Sequence, residues 1–332
     1  MWKRLFGGVW RAARWIRDRW ESIYLRIPPR GRKFVGLAML GLLVLYYPVG
    51  MVLTHRIDDN PDFRPDQLIE IPGGSHAVAV MAGLIEREVM EHEWVANDPF
   101  FKPAALLDNM PNFQQGMLSA FARFAIELRD QIGRTRGSST TDPALDLAAG
   151  LLPYPGDIWI FDFATSLLPT ASSERQYIRA RAALLAYNGR LASGEAVFER
   201  RADNLLATLD RIALDIGASS AALDAHVREH ASDWFDFEAD DLFYTVKGQI
   251  YAYYMILKAL KEDYLTIIQN REILSSYDQM LASMRSLALL DPLVVTNNSP
   301  DGQIIPNHLL AQGFYLLRAR TQLREITNIL QK

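Results

Sequence analysis

Apolar positions recur at helical spacing along most of this chain. Trp2, Phe6, Val9, Ala13, Ile16, Trp20 and Ile23 alternate steps of four and three, laying one stripe along residues 1–27, while Lys3, Arg4, Arg11, Arg14, Arg17 and Asp18 take the rest of the wheel. Residues 34–53 break that pattern with 20 positions free of charge, the length of a helix that crosses a hydrocarbon core. A polar stretch over residues 54–75, with Pro61, Pro65 and Pro72, reads as a spacer. Amphipathic helices are predicted beyond it. Residues 76–95 keep Val78, Met81, Ile85, Val89 and His92 on one face, and residues 113–132 keep Phe113, Met117, Phe121, Phe124, Leu128 and Ile132. Ser172, Ser173 and Glu174 give capping signals for a helix over 174–189, and further helices are predicted over 193–218, 219–231, 238–271, 273–290 and 306–330. The stripe Leu242, Val246, Ile250, Tyr253, Leu257, Leu260, Tyr264 and Ile267 makes 238–271 the longest. Residues 133–173 are rich in Gly, Pro and Ser, and read either as a long connection or as a boundary between two helical subdomains. Only Ile158–Phe163 and Leu293–Thr296 look like short strands. The expected fold class is all-α: a single-pass anchor followed by a multi-helix domain over 76–332.

Charge refines the topology. Residues 1–33 carry ten Lys and Arg against Asp18 and Glu21, net +8, which leaves −12 on the rest of a chain whose total is −4. Beside an uncharged span, that basic block is expected to face anionic lipid headgroups rather than nucleic acid. Trp2, Phe6, Trp10, Trp15 and Trp20, with Arg11, Arg14 and Arg17, are the expected membrane-contacting residues of an in-plane interfacial helix. Docking of the same stripe on a partner helix is the alternative. The apolar run is longer than a signal-peptide core and exits through Leu53-Thr54-His55-Arg56, so a permanent anchor is expected. The positive-inside rule then holds the N-terminus in the cytoplasm and puts residues 54–332 in the periplasm of a Gram-negative cell. A chain without cysteine excludes disulfide frameworks, thiolate metal sites and thiol nucleophiles.

Several motifs carry a resemblance. Asp108-Asn109-Met110-Pro111-Asn112, Arg134 with Ser138-Ser139 and Asp142-Pro143, and Ser172-Ser173-Glu174 with Tyr177 come first along the chain. Phe198 with Arg201-Ala202-Asp203-Asn204-Leu205, Asp241 with Phe243-Tyr244, and Asn307-His308 follow. In this order they resemble proteobacterial membrane proteins grouped as domain of unknown function 2333. The resemblance implies a Gram-negative inner-membrane protein with a helical soluble domain. It implies no activity and no catalytic residues.

The most specific chemical string is His226-Val227-Arg228-Glu229-His230, which fits H-x-x-E-H. On a helix, His226 and His230 share a face and can both reach a zinc ion, with the Glu229 carboxylate beside them to activate water. That pattern lacks a third ligand, and partly exposed helix histidines explain it as well. The acidic string Asp233, Asp236, Glu238, Asp240 and Asp241 lacks the spacing of a calcium loop and suits a helix cap. Phosphate-loop, dinucleotide-turn and G-x-S-x-G motifs are missing. No cofactor and no catalysis are therefore expected. The expected role is an interaction or scaffold component of the cell envelope, and Asp108, Asn109, Asp203, Asn204 and His308 are its candidate partner-binding residues. A periplasmic metal-dependent hydrolase using His226, Glu229 and His230 is the alternative.

Overall fold

The computed structural model describes residues 15, 19, 28–67, 69–133, 141–161, 165, 168–230, 236, 238–298 and 306–332. It divides into two compact units, Met1–Thr54 and His55–Lys332. In the first, helix α1 spans Pro29–Thr54, with the chain's second consecutive proline at its opening position, where a missing N–H costs nothing. Lys33–Thr54 has a mean hydropathy of 2.0 and no buried side chains, so α1 is long and apolar enough to cross a membrane. The arm over 1–27 lies outside the described residues, apart from Trp15 and Arg19. Both of these are helical, and the guanidinium stands 5.6 Å over the indole.

The second unit is built from α2 (His76–Glu86), α3 (Asn109–Glu127), α4 (Pro143–Leu151), α5 (Ser173–Ser193), α6 (Ala202–His230), α7 (Glu238–Asp263), α8 (Leu265–Asn270), α9 (Leu274–Ala288) and α10 (His308–Leu330). Single π-helical turns extend α2 through Glu91 and α3 through Ile132. The described residues contain no strand. Ile158 and Ile160 instead give their carbonyls to the N–H groups of Ser173 and Thr170, and around 293–296 only Val295 is buried while Leu293 and Val294 face solvent. One continuous apolar cluster reaches from Ile69 to Leu330. The described residues between 133 and 173 lie within the one compact unit His55–Lys332. They also carry the unforeseen α4, which starts where Asp142 Oδ1 accepts from the N–H groups of Ala144 and Leu145.

Helix lengths differ most from expectation at two places. The segments expected over 193–218 and 219–231 are shifted and fused into α6, whose 29 residues make it the longest helix. Gly194, at φ +77°, ends α5 in a left-handed conformation that a side chain would strain, so residue 193 closes a helix instead of opening one. The expected 238–271 helix stops at Asp263, because Tyr264 leaves helical dihedrals (φ −111°, ψ 17°) before α8 begins.

At the centre, α3 and α7 cross at backbone contact. A Cβ on Gly116 would meet the Thr245 carbonyl oxygen at 2.1 Å, and one on Gly248 would meet the Phe113 carbonyl oxygen at 2.0 Å. The expected spacer does not hang free. Residues 58–62 run along one face of α7 as a strap. Asp59 Oδ2 lies 2.7 Å from the buried Lys247 ammonium, the Tyr251 hydroxyl donates to Asn60 O, and Lys258 Nζ donates to Pro61 O. Asp58 O accepts from Arg87 Nη2, and that buried guanidinium also pairs with Glu88.

Candidate functional site

Polar side chains concentrate where α7 begins. Asp108 caps α3, accepting from the Asn109 N–H at 2.8 Å. The Asn109 amide, turned so that its nitrogen faces acceptors, donates to Asp240 Oδ2 at 2.6 Å. One turn further along α3, Asn112 Nδ2 donates to Asp241 Oδ1 at 2.7 Å. The start of α3 therefore reads the first turn of α7 side chain by side chain. Burial, then the neighbouring Asp108 and Asp241 carboxylates, push the Asp240 carboxyl up to about 6.

On the other flank of the same helix start, Asp236 caps α7 by accepting from the Ala239 N–H at 3.0 Å. Its second oxygen takes the His226 Nε2 at 2.8 Å and the Asn297 Nδ2 at 2.9 Å. Desolvation opposes ionisation there, but the hydrogen bonds from Asn297, His226 and Ala239 outweigh it and hold the Asp236 carboxyl below its ordinary value. Asn297 Oδ1 then accepts from Asn307 Nδ2, and Asn307 caps α10 through the Leu310 N–H. His308 sits one residue on, with Nδ1 between the Thr296 N–H (3.1 Å) and hydroxyl (2.9 Å); burial lowers its pKa.

Asp108, Asn109 and His308 are thus drawn to this end of the bundle, all at helix starts. Asp203 and Asn204 are not. They open α6, where Asp203 pairs with Arg201 and Asn204 Nδ2 donates to Glu199 O. At 1.5 Å per residue that is about 40 Å along α6 from His230. His226 and His230 stack one turn apart, ring centroids 4.4 Å from each other, whereas Glu229 is exposed. Glu238, the first residue of α7, brings a carboxylate to the two rings. The sequence marked the acidic string as a cap and held Asn112 and Asn307 inside motifs, but nothing in it joined these two or Asn297 to that string, because they are far along the chain. The Trp and Arg residues expected to contact a membrane lie outside the described residues, Trp15 excepted.

Away from this cluster, a groove of about 560 Å³ lies between α3 and residues 152–156. Arg123, Glu127 and Arg211 line it, and Arg123 reaches Asp215 Oδ1 at 3.1 Å. Burial raises the Glu127 carboxyl despite the opposing Arg211 charge.

The Asp240 pKa has a measurable consequence. Unfolded aspartate ionises near about 3.9, so the native state binds this proton more tightly. Its contribution to stability is full below about pH 4 and lost as pH rises through about 6. Discounted for partial exposure, the penalty at neutral pH is about 1 kcal/mol. Asp240→Asn should therefore melt about 2–4 °C higher than the parent at pH 7.5 and no higher at pH 4. Equal gains at both pH values would trace the effect to packing.

No curated protein and no solved structure matches the chain. A bacterial family described as an uncharacterized protein conserved in bacteria (DUF2333) matches residues 66–332, and the chain belongs to that family.

Proposed function

We propose that the protein is a single-pass component of the bacterial inner membrane. In this reading its N-terminus is cytoplasmic, its helical unit is periplasmic, and its task is to hold an envelope protein rather than to catalyse a reaction. The observation that carries the location is α1: the 22-residue apolar span Lys33–Thr54 has no side chain buried and adjoins a basic block of net +8 over residues 1–33. An exposed aromatic ridge supports the interaction role. Phe100 is 83% exposed, its ring stands 5.6 Å from that of Phe101, and Phe101 meets Trp159 at 5.7 Å. Ile160 and Phe161 continue the apolar surface, and Asn97 Nδ2 ties the two segments together through Ile158 O. Contiguous exposed apolar surface of this kind marks protein or membrane contacts.

The chain's lack of cysteine lets one variant test both parts. In Phe100→Cys cells with a permeabilised outer membrane, an impermeant maleimide should label the new thiol, and a bifunctional maleimide should join it to one discrete envelope protein. Labelling only after lysis would reverse the topology. Efficient labelling without any adduct would remove the scaffold role while leaving the location intact.

A further inference from the structure

We propose that His226, His230 and Glu238 form a divalent transition-metal site that clips the end of α6 to the start of α7. One ring nitrogen of each histidine and one carboxylate oxygen of Glu238 all lie within 4.8 Å of one another. Around a tetrahedral zinc ion with bonds of about 2.0–2.1 Å, ligand atoms stand about 3.3–3.4 Å apart, so modest side-chain rotation closes the set. The two imidazoles already stack one helical turn apart.

Three features around the cluster fit an ion. First, His226 Nε2 faces the Asp236 carboxylate at 2.8 Å and therefore donates to it, which leaves the ring's other nitrogen, Nδ1, with a free lone pair to offer a metal. A carboxylate behind a histidine in this way is the usual support of a metal-bound imidazole, fixing both tautomer and ring plane. Asp236 is itself fixed, by the Asn297 amide and the Ala239 N–H, and its side chain is only 6% exposed. Second, the histidines lie in the last turns of α6, where the helix dipole leaves partial negative charge that favours a cation. Third, two imidazoles and one carboxylate without sulfur suit zinc and its neighbours in the first transition row, not magnesium or calcium, which prefer all-oxygen shells.

The assignment departs from the H-x-x-E-H string. Glu229 is exposed and stands outside the cluster, and Glu238 supplies the third ligand from the next helix. With ligands on both helices, the ion ties two elements together. The site is independent of the anchor and scaffold reading, so either can fail without the other.

The test uses the full-length protein in detergent, stripped with EDTA and titrated with Zn²⁺ by calorimetry and with Co²⁺ by visible absorption. One ion per chain is expected, with a higher melting temperature on loading and Co²⁺ bands of a nitrogen-containing shell. Asp236→Asn should weaken Zn²⁺ about ten- to a hundredfold, as loss of a supporting carboxylate does elsewhere. His230→Gln and Glu238→Gln, which delete ligands, should weaken it more and abolish the thermal shift, while Glu229→Gln binds as the parent does. Should His230→Gln lose helicity, the exposed Glu238 side chain makes Glu238→Gln the deciding variant. No binding by the parent, or affinity unchanged in Glu238→Gln, overturns the site.

Discussion

Gly248→Ala should cost the helical unit at least about 3 kcal/mol, a fall of roughly 6–12 °C in melting temperature. Alanine ordinarily stabilises a helix interior by about 1 kcal/mol over glycine, so the expected sign is opposite to the propensity rule. The cause is the crossing of α3 and α7. The added methyl would stand 2.0 Å from the Phe113 carbonyl oxygen and 2.8 Å from its carbonyl carbon. Both atoms are backbone, so no rotamer change relieves the overlap. The helices must part, and parting loosens Phe113, Phe121, Ile250 and Tyr251, all fully buried. Gly313→Ala on α10 is the matched control, since nothing lies within 4 Å of its added carbon. It should be neutral or gain up to about 1 kcal/mol. Denaturant midpoints for the two variants check the pair, and similar values would mean that the crossing is looser than described.

Asp263→Ala should be comparably damaging, at about 3–5 kcal/mol. The last residue of α7 caps a helix nearly two hundred positions away. Its carboxylate accepts from Ser75 Oγ at 2.7 Å and from the N–H groups of His76 and Ala77 at 3.0 Å each, with Arg200 at 3.6 Å. Removing it leaves the first N–H groups of α2 buried without acceptors and takes a negative charge from a helix N-terminus. Asp263→Asn retains one oxygen and should lose about half as much. Urea unfolding at constant m separates the three proteins, and an alanine variant within 1 kcal/mol of the parent would refute the capping role.

What the sequence told about these helices followed from how each is stabilised. The stripes on α3 and α7 were legible because burial itself imposes the period: Phe113, Phe121, Ile250 and Leu257 are all fully buried. The nine-residue α4 was missed because it is short and is specified mainly by its cap. Gly217-Ala218-Ser219-Ser220 looked like the end of one helix and the start of another, yet α6 runs straight through. Ser219 Oγ bonds back to Asp215 O and across to Gln249, and Gly217 leaves room for Arg320. Small residues there answer to neighbouring helices, which no local pattern reveals. The same holds for the candidate site. Asp108, Asn109 and His308 could be picked out as polar residues inside the motifs, but Asp240 and Asn297, the groups near which they gather, belong to other elements. Glu238 was close in sequence and still outside the motif, because it stands on the next helix, α7, and not at helical spacing from the histidines on α6.

The strap changes where the folded unit begins. The family match starts at residue 66, but Lys247, 1% exposed, takes its nearest counter-charge from Asp59, with Asp291 more distant at 3.9 Å. Arg87 likewise loses Asp58 when the chain is cut at 66, though it keeps Glu88. A desolvated cation deprived of its partner costs several kcal/mol. Proteolysis just before Asp58 would accordingly shed a sound helical body from α1, whereas a cut a few residues later, beyond Asp62, would shed one already losing its footing. Within this five-residue window, detachment from the apolar helix and loss of structure become a single event, and whatever cleaves the tether also decides whether the released body survives.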